Sequence, residues 1–186
     1  MKLFDTRRWL FLFLCSLVLF TAFFPLTAED GYEVLPDSYR ALRLGMNLEE
    51  VQDELRSDGL FGYRGERDLS LLPGGPRTLI ETAGPSFIRR SWLQFHEGKL
   101  WSMTFTLDPG RIDYYSVYST LVAKYGEPHA LDPSKARWAD DRVILTLERP
   151  LTIKYLDAAV FESLLAGSFA GQAASDMLRE AFLEDF

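Results

Sequence analysis

Apolar side chains recur along this chain in two rhythms, one of period three to four and one of period two. Leu48, Val51 and Leu55 share one side of a helical projection. Asn47 predicts the N-cap of that helix, Glu50 completes a capping box, and Ser57-Asp58-Gly59 predicts its stop. A broader stripe, Tyr114, Val117, Tyr118, Leu121, Val122 and Tyr125, predicts a second helix capped by Asp113 and ended by Gly126 and Pro128. Between the helices the pattern becomes alternating, rich in β-branched and aromatic residues, and predicts strands over 77–82, 87–95 and 99–107. His96-Glu97-Gly98 reads as a hairpin turn, because glycine takes a positive φ without cost.

After the second helix, a hairpin over 136–139 and 142–148 turns about Asp140-Asp141. Pro150 marks a bend, and 151–156 reads as one more strand. Asp157 predicts the cap of a third helix through Leu165, closed by Gly167. A Gly-Ser-Ala-rich link then leads to a last amphipathic helix, capped by Ser175 and carrying Met177, Leu178, Ala181, Phe182 and Phe186. Residues 60–76 mix Phe61, Tyr63, Leu69, Leu71 and Leu72 with four glycines, which predicts one or two short strands in a long loop. Residues 31–43 read as a lead-in that orders on contact, with Tyr32, Leu35 and Tyr39 as anchors. The expected fold class is therefore α+β, with helices packed on one face of an antiparallel sheet.

Two echoes divide the body in half. Leu48-x-x-Val51-x-x-x-Leu55 repeats the spacing of Tyr114-x-x-Val117-x-x-x-Leu121. Phe95 to Lys99 matches Trp138 to Arg142 as aromatic, spacer, acid, turn residue, base. The expected organisation is a signal over 1–28, a lead-in over 29–44, an α+β domain over 45–166 with halves 45–107 and 108–166, and a linker with C-terminal helix over 167–186.

The first 28 residues have the three parts of a secretory signal. Lys2, Arg7 and Arg8 precede an apolar run from Trp9 to Phe24, and the small Ala28 precedes acidic Glu29 and Asp30. The run is short for a membrane span, which wants roughly 20 residues. The expectation is export to the periplasm or beyond, with membrane attachment only through an uncleaved signal. Cys15 is the one cysteine and lies inside the apolar run, behind Leu14 where a lipidation site wants a small residue. The exported body then has neither disulfides nor thiolate metal sites and must fold on its core. Removing residues 1–28 shifts the formal charge from −7 to −9, with 17 basic against 26 acidic residues left. Such a surface argues against nucleic acid or anionic lipid as the main partner.

The run Gly45-Met46-Asn47-Leu48-Glu49-Glu50-Val51, opening a helix after a signal, is similar to the start of bacterial envelope proteins of the SmpA/OmlA type. Leu121 to Pro128, with the sequence Leu-Val-Ala-Lys-Tyr-Gly-Glu-Pro, followed by Trp138 and an apolar hairpin, resembles repeats of the β-lactamase-inhibitor-like fold. The resemblance covers residues 45–156. It implies helices on one face of an antiparallel sheet and action by binding other proteins, with no catalytic residues to transfer. The chain departs from the lipid-anchored members in lacking a lipobox cysteine.

The residues themselves carry no recognisable reactive constellation. His96 and His129 belong to no His-x-x-x-His or His-Glu-x-x-His pattern, and no Gly-x-Ser-x-Gly elbow is present. The glycine loops lack the lysine of a phosphate cradle. Glu49-Glu50 and Asp140-Asp141 are explained by helix N-terminal charge and turn chemistry. No catalytic, cofactor or metal residues are nominated. Recognition is favoured instead, at two places. Phe61 and Tyr63 with rim charges Arg64 and Arg67 compose an apolar centre with a charged border, and Phe182 and Phe186 lie on the C-terminal helix. The expected function is an exported, non-catalytic protein-binding module whose partner is another envelope protein. A small periplasmic hydrolase and a carrier of an apolar ligand are the alternatives.

Overall fold

In the computed structural model, residues 34–72 and 77–184 are described. The proposed signal lies outside them. The chain enters through a small hairpin, β1 (Ser38–Tyr39) and β2 (Leu42–Arg43), whose turn residue Arg40 has φ 57°. The Arg40 guanidinium then reaches Asp58 at 2.6 Å, at the far end of the following helix. Leu35 and Tyr39 anchor this segment to the core. Leu35 and Leu42 are buried, and Tyr39 stacks on Phe105 with ring centres 4.7 Å apart.

Helix α1 (Leu48–Ser57) forms where the spacing predicts it, and both halves of the capping box are made. The Asn47 side chain accepts from Glu50 N at 2.9 Å, and Asn47 N donates to the Glu50 carboxylate at 2.7 Å. Just upstream, Gly45 N donates to Leu100 O and Leu100 N to Met46 O, which ties the helix start to the sheet. Val51 and Leu55 face inward and are buried.

The strands that follow are β3 (Leu69–Leu72), β4 (Arg77–Thr82), β5 (Ile88–His96) and β6 (Lys99–Leu107). After helix α2 (Tyr114–Tyr125) come β7 (Ala130–Leu131), β8 (Lys135–Ala139), β9 (Val143–Glu148) and β10 (Thr152–Asp157). Among the described residues these eight strands make one sheet in the order β3-β4-β5-β6-β10-β9-β8-β7, with every neighbour antiparallel. Each helix is thus followed by a four-stranded meander, and the last strands of the two meanders, β6 and β10, pair with one another.

Alternation assigns the two faces of the sheet. Ile80, Leu93, Met103, Tyr155, Leu145 and Trp138 sit opposite one another across successive strands and are all buried. They form one cluster with Val51 and Leu55 of α1 and Val117 and Leu121 of α2, so both helices lie on this face. The opposite face carries Thr106 and Thr152, hydroxyls 3.2 Å apart, and the Lys154–Glu148 ion pair at 2.6 Å. The α+β class, with helices against an antiparallel sheet, holds.

Local expectations need two corrections. His96 remains in β5 opposite Lys99, and the turn is Glu97-Gly98, with φ of 50° and 76°. Two positive φ values match the right-handed twist of the flanking strands. The C-terminal segment is not two helices and a link. It is one helix, α3 (Ala158–Glu184), running through Gly167 and Gly171. Asp157 does cap it, accepting from Val160 N at 2.9 Å. A helix-interior glycine costs only about 1 kcal/mol against alanine. With no proline to force a stop, the surrounding alanines and leucines carry the helix through. From Leu165 to Gln172 every side chain is exposed.

Candidate functional site

A wide concavity lies beside the start of α2, at the β7–β8 edge of the sheet. Asp113 caps α2, its Oδ1 accepting from Ser116 N at 2.9 Å and its Oδ2 from Ser116 Oγ at 2.5 Å. The bond from the Ser116 hydroxyl, backed by that from its N–H, holds the Asp113 carboxyl below the usual carboxylate range. With the cap fixed, helical spacing sets the tyrosines. Val117 and Leu121 turn into the core, Tyr114 and Tyr118 stack on the flank with ring centres 6.4 Å apart and planes 10° off parallel, and Tyr115 stands 74 % exposed.

The flank is locked from below. Tyr118 meets the Trp138 ring at 6.2 Å, and Trp138 donates its indole N–H to Gly126 O at 2.8 Å, joining the end of α2 to the core. Tyr114 donates to Leu147 O at 3.4 Å. The Arg149 guanidinium lies 4.1 Å over the Tyr114 ring and donates through Nε to Pro133 O at 3.0 Å. Partial desolvation, then the Glu127 carboxylate, raises the Tyr118 hydroxyl above its ordinary value.

The opposite wall is the β7–β8 turn. Asp132 Oδ1 accepts from Ser134 N, Ser134 Oγ and Lys135 N at 2.6–2.9 Å, so hydrogen bonding from Ser134 holds this carboxyl low as well. Leu131 is 63 % exposed on the edge strand. Asp132 and Lys135 exchange both backbone bonds, which makes Leu131–Ala136 the non-bonded pair of the ladder. The Leu131 N–H and C=O therefore point outward, away from β8. Together the walls enclose about 700 Å³, within the roughly 300–1,000 Å³ of ligand sites. The surface is aromatic, with two carboxylates and one guanidinium at fixed positions.

The residues nominated from sequence fall elsewhere. Phe61 is 1 % exposed and packs against Tyr39 and Phe105, so the reading of it as the centre of a surface patch gives way to a core role. Tyr63 is half-buried, and its hydroxyl is enclosed without a hydrogen-bond partner. Arg64 donates to the buried Asp68 carboxylate through Nε at 2.9 Å and through its backbone N–H at 2.7 Å. Arg67 is exposed and lines a small cleft with Arg64 and Arg90. Phe182 belongs to α3, and Phe186 lies outside the described residues.

Sequence reading placed Tyr114 and Tyr118 in an apolar stripe and passed over Tyr115, Leu131 and Arg149. One signal was available. Three tyrosines within five residues at a helix start put more hydroxyls on one helix than a core needs. His129 accepts from Ala139 N through Nδ1 at 3.1 Å, and His96 sits 4.0 Å from Glu97. Among the described residues no group of three or more His, Cys, Asp or Glu side chains is placed to hold a metal ion, and no helix is long and apolar enough to cross a membrane.

A family model described as TP0088 domain matches residues 37–167, from the entry hairpin into α3, and the chain belongs to that family. The match gives no support to either envelope group that the chain's motifs resemble. No curated protein and no solved structure matches the chain.

Proposed function

We propose that this member of the TP0088 domain family is an exported, non-catalytic protein-binding module of the periplasm or cell envelope, and that it binds its partner in the tyrosine groove beside α2. The groove is the observation that carries the reading. Tyrosine and arginine are the side chains enriched at the energetic centres of protein interfaces, because they bury large area and still satisfy polar atoms. Here they are held in place before any partner arrives. Tyr114, Tyr118, Arg149, Asp113 and Asp132 each have a partner within the fold, so little side-chain entropy remains to be lost on binding. Tyr115 and Leu131 stand free at the rim. The outward backbone of Leu131 offers an extended segment a place to add to the sheet edge. The same reading takes the halves 45–107 and 108–166 as one duplicated unit, supported by the helix-then-meander order of each and by the pairing of β6 with β10.

The groove is tested by placing a photocrosslinking side chain at Tyr115 and, as a control, at Phe87, which is 50 % exposed. We expect crosslinks to one envelope protein from position 115 only. Purified, that protein should bind the wild-type chain and lose at least tenfold in affinity with Tyr115→Ala, whose stability stays within about 0.5 kcal/mol of wild type, as for surface substitutions generally. Equal crosslinking from both positions, or undiminished binding by Tyr115→Ala, would overturn the groove as the site. Export has its own test. N-terminal sequencing of the periplasmic fraction should begin near Glu29, and recovery of the chain in the cytoplasm with Met1 to Phe24 intact would end the export reading.

A further inference from the structure

We propose that the cleft where the loop after α1 crosses the end of β4 is a binding site for a small oxyanion of the phosphate class. It lies apart from the tyrosine groove and does not depend on the function proposed for it. Three guanidinium groups line it, Arg64, Arg67 and Arg90. Two are braced, Arg64 by Asp68 and Arg90 by Glu81 at 3.0 Å, while Arg67 makes no ion pair among the described residues. An arginine carries five N–H donors, and the braces occupy two on Arg64 and one on Arg90. Donors in a planar fork remain on all three, the geometry that suits a tetrahedral oxyanion. The Asp68 carboxylate, with no side-chain exposure, accepts three hydrogen bonds from Arg64, and it lines the cleft together with Glu81.

Unpartnered hydroxyls lie beside the cleft. Thr82 lines the same cleft, is 1 % exposed, and its Oγ1 has no partner. Ser91, directly across the β4–β5 ladder from Thr82, and Tyr63, next to Arg64 in the chain, also have enclosed hydroxyls without partners. Thr82 and Ser91 share the core face with Ile80 and Leu93, and Ser91 and Tyr63 do not line the cleft, so the arginines are its donors. Size narrows the class. The cleft encloses about 190 Å³, below the roughly 300–1,000 Å³ of sites for drug-sized ligands, so it suits an inorganic anion or a single headgroup phosphate rather than a nucleotide. The chain's net charge of −7 does not forbid this, because charges beyond the Debye length of about 8 Å are screened at physiological salt.

The test is a thermal melt of the purified protein against inorganic phosphate, with sodium chloride at matched ionic strength as reference. We expect phosphate at tenfold its dissociation constant to raise Tm by about 3 °C over chloride. Arg67→Ala, at an exposed position, should fold as wild type and bind phosphate at least tenfold more weakly, with Arg67→Lys in between. Thr82→Val, on the core face, should leave phosphate binding unchanged. Sedimentation with vesicles of anionic phospholipid separates the two sources of the ligand. Vesicle binding that free phosphate displaces identifies a headgroup, and no vesicle binding identifies the free anion. A phosphate shift no larger than that of chloride, or one kept in full by Arg67→Ala, overturns the proposal.

Discussion

Phe61→Ala is expected to destabilise the protein by about 3–5 kcal/mol and to lower Tm by about 10 °C or more. The ring is 1 % exposed, meets Phe105 at 5.9 Å and Tyr39 edge-on at 6.4 Å, and so joins the loop after α1 to the entry hairpin and the sheet. Truncation removes the burial of a whole aromatic ring and leaves a cavity. One wall is Phe105 on β6, a strand fixed by pairing on both sides, which relaxes poorly. Tyr63 gives the contrast. Its hydroxyl is enclosed without a partner, so Tyr63→Phe removes a polar atom that gains nothing in the fold and should leave stability unchanged or slightly higher. Denaturant melts of the two variants decide the matter. A Phe61→Ala variant within 1 kcal/mol of wild type would show that the loop is not part of the core.

Gly62→Ala should cost about 2–5 kcal/mol, although it adds a single carbon. Gly62 has φ +61°, where an alanine is disfavoured by about 1–2 kcal/mol. A Cβ there would also stand 2.4 Å from the Ala83 carbonyl oxygen. Backbone of the β4–β5 connection cannot swing aside as a long side chain can, so overpacking adds about 1–3 kcal/mol. A reciprocal contact occurs at Gly84, where a Cβ would meet Leu60 O at 2.4 Å and Ile88 O at 2.5 Å. The two glycines let the loop lie directly on the β4–β5 connection. Gly65→Ala shares the positive φ (+80°) but has open space around it, and should cost only the conformational part. Equal losses at Gly62 and Gly65 in urea melts would refute the close approach.

The two substitutions bear on how the loop over 60–72 reads in sequence and in three dimensions. Glycines mixed with aromatics describe equally a patch offered to a partner and a strap laid over a sheet, because both need apolar side chains on an irregular backbone. The choice depends on what lies opposite. Here β4 and Phe105 lie opposite, so Phe61 is consumed by the core while Arg64 and Arg67 remain at the cleft. Likewise, the small-residue stretch after Leu165 lacks a proline, so composition alone did not settle whether it breaks the helix. The backbone continues through Gly167 and Gly171 without an obstacle near either.

By itself the sequence determined the parts whose physics is local. The Asn47 capping box, the Asp113 and Asp157 caps, the Gly126 stop, the glycine turn after β5 and the alternation of β5, β6 and β9 are each decided within a few residues by hydrogen-bond geometry, φ preference and period. Together they were enough for the α+β class. Tertiary structure decided everything that joins distant residues. The pairing of β6 with β10, some 50 positions apart, has no local signature, since any half-buried strand offers the same ladder to any other. The tyrosine groove needs α2 to lie beside a turn closed by Asp132 and an arginine from the end of β9 to fold over Tyr114. The arginine cleft needs a loop and two strands to meet at one corner of the sheet. Sequence spacing carries no information about such meetings, because they are set by which strands find each other and by the volume left between them.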